Sequence, residues 1–129
     1  MRAVKSQFGD GPFQQKLAVG DLTFLSDAYL ANGGEGTGPT PHEYLAASLA
    51  ACTSMTLKMY AGRKAMNLDN AIVTVDIERM DDVEKFSRDI QFIGKLSDEE
   101  KVRLMEIADK CPIHKALAGT IQIKTQLVS

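Results

Sequence analysis

Two cysteines are the residues most able to do covalent chemistry in this chain. Cys52 and Cys111 lie 59 positions apart, and no CxxC pair accompanies them. A thiol can act as a nucleophile, pair into a redox disulfide, bind a metal, or pack as a small hydrophobe. Cys111 precedes Pro112, so its position resembles an N-cap with proline at the first helical residue. Such a site can stabilise a thiolate. Cys52 sits about twelve residues into a helical pattern. A helix dipole acts only over the first turn, so a lowered pKa there needs a cation from another element. Four further residues with ionisable or ligating groups enter as candidates: His42, Glu43, Arg88 and His114. Cys111-x-x-His114 has ligand-like spacing, so a Cys₂His₂ zinc centre is one reading of two Cys and two His. Cys52 and His42 lack local ligand spacing, and no metal or cofactor is expected.

Composition bounds the setting for this chemistry. The chain has 129 residues, 44% hydrophobic and 25% charged. That is the profile of one globular domain spanning 1–129. Lys plus Arg number 15 against 17 Asp plus Glu, a net charge of −2. A mildly acidic chain without a basic run has no general pull toward nucleic acid or anionic membrane. The N-terminus lacks the apolar core of a secretory signal. The longest mostly apolar stretch, 44–57, is interrupted by Ser48 and the Thr53-Ser54 pair and falls short of a spanning helix. A cytoplasmic location is expected, where a cysteine pair is reactive, metal-binding or inert more often than a structural disulfide.

The elements that must position these residues are legible in outline. Residues 2–8, 13–19 and 22–25 read as a β-meander, with Gly20-Asp21 suited to a type II′ turn. Asn32–Pro39 is glycine-rich and lacks the Gly-Lys-Ser/Thr ending of a P-loop, so it reads as a mobile connector or lid rather than a phosphate cradle. Thr40, Pro41 and Glu43 form a capping box that opens a helix to about Lys64. At 1.5 Å per residue this helix is about 36 Å long. Ala46, Ala47, Ala50 and Ala51 place small residues on adjoining faces, which lets neighbouring backbones approach closely. A chain this short would struggle to cover that helix, so a second subunit is expected to share it.

Val73, Val75 and Ile77 alternate as a strand, 80–85 reads as a polar turn, and Phe86, Ile90 and Phe92 mark the returning strand. Arg88 falls in phase with that apolar face. It needs a partner there, or else snorkels to water at an edge. Ser97 and Glu100 form a second capping box for a helix with Val102, Leu104, Met105 and Ile107 inward. Pro112 ends it, a short turn follows, and Ile121, Ile123 and Leu127 suggest a closing strand. The sum is an α+β architecture with antiparallel pairing.

Pro-Thr-Pro-His-Glu-Tyr-Leu-Ala-Ala-Ser-Leu-Ala-Ala-Cys52, followed by Cys111-Pro-Ile-His114, resembles the OsmC/Ohr family of thiol peroxidases. The resemblance runs from about Gly36 to the C-terminus. It implies an OsmC-like fold: an intertwined homodimer with antiparallel sheets packed on two central helices. It implies Cys52 as the peroxidatic and Cys111 as the resolving residue. The substrate would be a hydroperoxide, preferably organic, and a dithiol reductant, often lipoylated protein, would restore the enzyme. One branch of the family carries a Glu ten positions before the peroxidatic cysteine, a place held here by His42. At about 100° per residue Glu43 lies roughly 180° around the helix from Cys52 and His42 about 80°. Capping therefore explains Glu43 better than catalysis does. That branch also carries an activating Arg in an N-terminal strand, where Arg2, Lys5 and Lys16 sit in no matching motif. Arg88 is the other candidate for that role. The candidate catalytic set is thus Cys52, Cys111, Arg88, His42 and Glu43. The alternative function is a catalytically weak OsmC-like stress or ligand-binding dimer.

Overall fold

The computed structural model describes residues 1–129. They form two compact units, 1–45 and 46–129, with the long helix running through the boundary.

In residues 1–45 three strands pair antiparallel in order: β1 (Lys5–Phe8), β2 (Gln15–Val19) and β3 (Leu22–Ser26). Val19 opposes Leu22, which leaves Gly20-Asp21 as a two-residue loop. Gly20 takes φ 56° while Asp21 does not share a positive φ, the pattern of a type II′ turn. The glycine-rich segment is not a free lid. Asp27, 3% exposed, accepts from the Ala28 amide at 2.7 Å, the Thr37 amide at 3.0 Å and the Thr37 hydroxyl at 2.6 Å. The Ser26 hydroxyl donates to the Pro39 carbonyl at 2.8 Å. A buried carboxylate needs such donors, and this loop supplies them from its own backbone and the Thr37 side chain. A single 3₁₀ turn, Leu30–Asn32, lies within it.

The long helix α1 spans Pro41–Arg63. Its capping box is formed as expected. The Thr40 amide donates to Glu43 at 2.8 Å and the Glu43 amide to the Thr40 hydroxyl at 3.2 Å. In residues 46–129 the strands β4 (Asn70–Met80) and β5 (Val83–Ile93) form one long antiparallel hairpin. The turn is tighter than the six-residue polar turn expected. Met80 opposes Val83, and only Asp81 and Asp82 lie outside the ladder, at φ 51° and 63°. Two left-handed residues make a type I′ turn, whose twist matches the flanking strands, and Asp tolerates that conformation.

Helix α2 (Asp98–Ala108) starts on the expected Ser97–Glu100 capping box. Gly94, at φ 144°, lets the chain pass close to Asn67: a Cβ there would meet the Asn67 carbonyl oxygen at 2.0 Å. The core is Leu57 and Ala61 of α1 with Leu104, Ile107 and Ala108 of α2, backed by Ile90 and Phe92 of β5. Leu57 and Leu104 are fully buried. Each contributes about 1.5–3 kcal/mol by leaving water. Leu104 and Ile107 thus face inward as expected, but Val102 and Met105 are 61% and 46% exposed. The helix turns Ala108 inward instead, and a small residue there lets α2 lie close to its neighbours. The Arg103 Nε–H donates to the Tyr60 hydroxyl at 2.9 Å and links the two helices at their rim.

Pro112 opens a short third helix, α3 (Pro112–Ala118), as the N-cap reading of Cys111 expects, a turn being the other expectation. The closing strand is absent: residues 120–129 pair with nothing in this chain. Ile121, Ile123 and Leu127 are 60%, 86% and 91% exposed. A strand needs a ladder partner, and no free edge of this chain takes this segment up. No helix is long and apolar enough to cross a membrane.

Candidate functional site

The two cysteines, distant in sequence, meet in residues 46–129. Cys52 lies on α1 and is half-buried, while Cys111 is fully buried at the start of α3. The arrangement follows from local sequence. Pro112 fixes the first helical residue of α3, and Cys111 becomes its N-cap. The Cys111 Sγ accepts from the His114 amide at 3.5 Å. The thiols are hydrogen-bonded to one another, and neither is in a disulfide.

Their acidities diverge. Burial, and then the hydrogen bond it gives to Cys111, push the Cys52 thiol above its ordinary value. Burial also opposes charge on Cys111. There the hydrogen bond from Cys52 and the His114 and Ile113 amides outweigh it, and the pKa falls below the ordinary value.

Arg88 sits behind this pair. Its phase on β5 is as expected, opposite Val75 and on the face of Phe86, Ile90 and Phe92. Its side chain is only 12% exposed, so it does not snorkel to water. Nη1 donates to the Thr53 hydroxyl at 3.0 Å and the Ala108 carbonyl at 3.3 Å. Nη2 donates to Asp109 Oδ1 at 2.8 Å and lies 3.0 Å from His114 Nδ1. Arginine only donates, so this contact is a hydrogen bond when Nδ1 carries no proton. These four contacts join α1 at Thr53 to the α2–α3 junction at Ala108, Asp109 and His114. The guanidinium therefore holds the residues that flank the two sulfurs.

Thr53 and Asp109 escape a reading of the sequence alone. Thr53 is fully buried, donates to the Leu49 carbonyl at 2.7 Å, and accepts from Arg88. In sequence it looks like a polar interruption of an apolar run. Its signal was its place beside Cys52. Asp109 stands two residues before Cys111, where it reads as a helix-end polar residue. His42 is exposed in the first turn of α1, and the Glu43 carboxylate is engaged in capping. The Thr40 amide holds Glu43 below the usual carboxylate range despite partial desolvation. No three His, Cys, Asp or Glu side chains are grouped to hold a metal ion.

The OsmC-like protein family model matches residues 34–126 of the chain. The chain belongs to the OsmC-like family. An uncharacterised protein of Haloferax volcanii is 31% identical over 115 residues, covering 85% of this chain and 83% of that protein. The OsmC-like protein of Mycoplasma pneumoniae superposes with a TM-score of 0.80 at 16% identity, over 92% of this chain and 88% of that one. The organic hydroperoxide resistance protein OhrB of Bacillus subtilis gives 0.63 at 25% identity, over 96% and 95%. The α+β fold with antiparallel sheets is thus that of the OsmC-like proteins.

Proposed function

We propose that this OsmC-like protein is a thiol-dependent peroxidase that reduces organic hydroperoxides, and hydrogen peroxide more weakly. The observation that carries this reading is the juxtaposition of Cys52 and Cys111, two free thiols brought together from distant elements. Only Cys52 of the two has solvent exposure, so it is the sulfur a peroxide can reach. The Cys52 Sγ attacks the terminal peroxide oxygen and the O–O bond breaks. Cys52 becomes a sulfenic acid, and the alkoxide takes a proton and leaves as alcohol. The Cys111 Sγ then attacks the Cys52 Sγ, displacing hydroxide, which is protonated to water as the intrachain disulfide forms. A dithiol reductant, such as a lipoylated protein, returns both thiols by exchange and is itself oxidised. The likeness to OhrB, an organic hydroperoxide resistance protein, supports the substrate class.

The working unit is a homodimer. Its support is the apolar surface left open on one chain: Met55 and Met59 of α1 are 59% and 63% exposed, and residues 121–128 expose four large aliphatic side chains. Such surface marks an interaction site. Sedimentation through micromolar dilution should show no folded monomer, and a stable monomer would remove this part of the reading.

Slow turnover, in a protein that serves mainly as a stress or ligand-binding dimer, is the second reading. One observation favours it: the four Arg88 contacts go to Thr53, Ala108, Asp109 and His114 rather than to a sulfur. A peroxide-consumption assay with a lipoyl dithiol separates the two. Faster loss of cumene hydroperoxide than of hydrogen peroxide, abolished in Cys52→Ser, is the expected result. No turnover with either peroxide would leave the second reading.

A further inference from the structure

We propose that Arg88 and Asp109 clamp Cys111 out of reach through the redox cycle, so that the reductant attacks the oxidised pair at Cys52 and Cys111 is the sulfur that leaves. This rests on the thiol-peroxidase reading of the pair and adds the route by which the disulfide is reopened.

The two sulfurs differ in access. Cys111 is fully buried, whereas Cys52 is half-buried. The chain on both sides of Cys111 is tied to Arg88 on β5. Asp109, two residues before it, accepts from Nη2 at 2.8 Å, and His114, three residues after it, lies 3.0 Å from the same nitrogen. The Ala108 carbonyl accepts from Nη1 at 3.3 Å and from the Cys111 amide at 3.3 Å. An outward swing of Cys111 would have to break these bonds. It would also strand a guanidinium that is only 12% exposed, and a buried charge without a partner is costly. Asp109 is the charged member of the tie, and its carboxylate matches the charge of Arg88. The fixed place of Cys111 does not hinder the disulfide, because the two thiols already touch in the reduced protein.

The step balances. One thiolate of a dithiol attacks the Cys52 Sγ. The Cys52–Cys111 bond breaks, its electron pair goes to the Cys111 Sγ, and that sulfur takes up a proton. Cys52 is left in a mixed disulfide with the reductant. The second thiolate of the reductant attacks its own first sulfur, and Cys52 departs as a thiolate that takes up the other proton. The reductant closes into a ring disulfide, and two electrons have passed to the protein. Because Cys111 stays beside Cys52, it can also attack the mixed disulfide. A monothiol is then expelled and the 52–111 bond re-forms. A second thiol on the same reductant molecule competes with that return, so the clamp favours dithiols over monothiols.

The test starts from protein oxidised with diamide, so no peroxide enters. It is mixed with a monothiol, N-acetylcysteine, quenched in acid at early times, and mapped by mass without reduction. Acid stops the exchange because the thiolate is the attacking species. In wild type the N-acetylcysteine mass should sit on the Cys52 peptide in about tenfold or greater excess over the Cys111 peptide, because access decides which sulfur is attacked. Asp109 is largely exposed, so Asp109→Ala removes the charge partner at little cost in packing. Asp109→Ala and Arg88→Met should both bring the excess down toward parity. A merely structural loss would lower stability and leave the mass on Cys52. Three wild-type results would overturn the route: the mass on Cys111, equal labelling of the two peptides, or no 52–111 disulfide with diamide. An unchanged preference for Cys52 in both variants would overturn the clamp. A protein that shows the preference and consumes no hydroperoxide keeps the route and loses the peroxidase reading.

Discussion

Residues 1–45 bury polar side chains, and residues 46–129 bury apolar ones. Gln14, Ser26, Asp27 and Thr40 are the buried polar residues of the first region. Their hydrogen bonds shape the 27–40 loop and the start of α1. In the second region Leu49, Leu57, Ala61, Leu104, Ile107 and Ala108 are buried, and Thr53 is the only polar residue among them. A polar group placed alone in an apolar interior must be hydrogen-bonded, and it fixes whatever it bonds to. In the first region buried polarity defines a loop. In the second it is concentrated at one point, beside the thiol pair, where Arg88 ties three elements together.

The strongest way to break this comparison is to open the apolar side. Leu104→Ala should cost about 2–5 kcal/mol, because the residue is fully buried and a cavity remains. Urea unfolding would measure it. A loss below 1 kcal/mol would mean that the core does not carry residues 46–129. The next test strikes the polar point within that core. Thr53→Val keeps the shape and removes the hydroxyl that Arg88 bonds to. Leaving that guanidinium N–H without its partner should cost about 1–3 kcal/mol. It should also slow 52–111 disulfide formation at a fixed peroxide dose. Arg88→Met removes the whole tie and should slow the same step more, while the protein stays folded. Equal disulfide rates in wild type and Arg88→Met would show that the guanidinium does not align the thiols.

Acid should separate the regions. Hydrogen bonds from the Thr37 hydroxyl and amide hold Asp27 below the usual carboxylate range, and Glu43 is lowered by the Thr40 amide. A carboxylate lowered in the fold contributes stability above its unfolded pKa of about 4 and loses it as pH falls through the lower folded value. Amide exchange in 27–40 should therefore quicken below about pH 4 before exchange in α2 does. Asp27→Asn should remove that difference, and an unchanged acid profile would refute it. The smallest effect is expected at Val102, which is 61% exposed on α2. Val102→Ala should change stability by less than about 0.5 kcal/mol.

Much of this frame is legible in the residues themselves. Thr40-x-x-Glu43 and Ser97-x-x-Glu100 mark helix starts because reciprocal capping is a local affair of four residues. The alternation over 73–77 and 86–92 marks the hairpin, and Pro112 marks the start of α3. What escapes depends on distant partners. Val102 and Met105 have the spacing of an inward face, but the neighbours of α2 receive Ala108 instead. Ile121, Ile123 and Leu127 alternate like a strand and find no edge in this chain to pair with. At the site, the two cysteines and Arg88 stand out by type and phase. Thr53 and Asp109 do not, because their significance lies in a guanidinium that reaches them from β5.

The central claim is that Cys52 and Cys111 form one redox unit. Its most direct measurement is a single-equivalent oxidation. Reduced protein is treated with one equivalent of cumene hydroperoxide, free thiols are counted, and the peptides are mapped by mass without reduction. The account predicts that both thiols are lost together and that the Cys52 peptide is joined to the Cys111 peptide of the same chain. That bond requires Cα atoms within about 7 Å. Cys111→Ser should instead halt at a trapped or over-oxidised Cys52, and Cys52→Ser should not react. A protein that keeps its free thiols under one equivalent, or joins them only between subunits, would contradict the account.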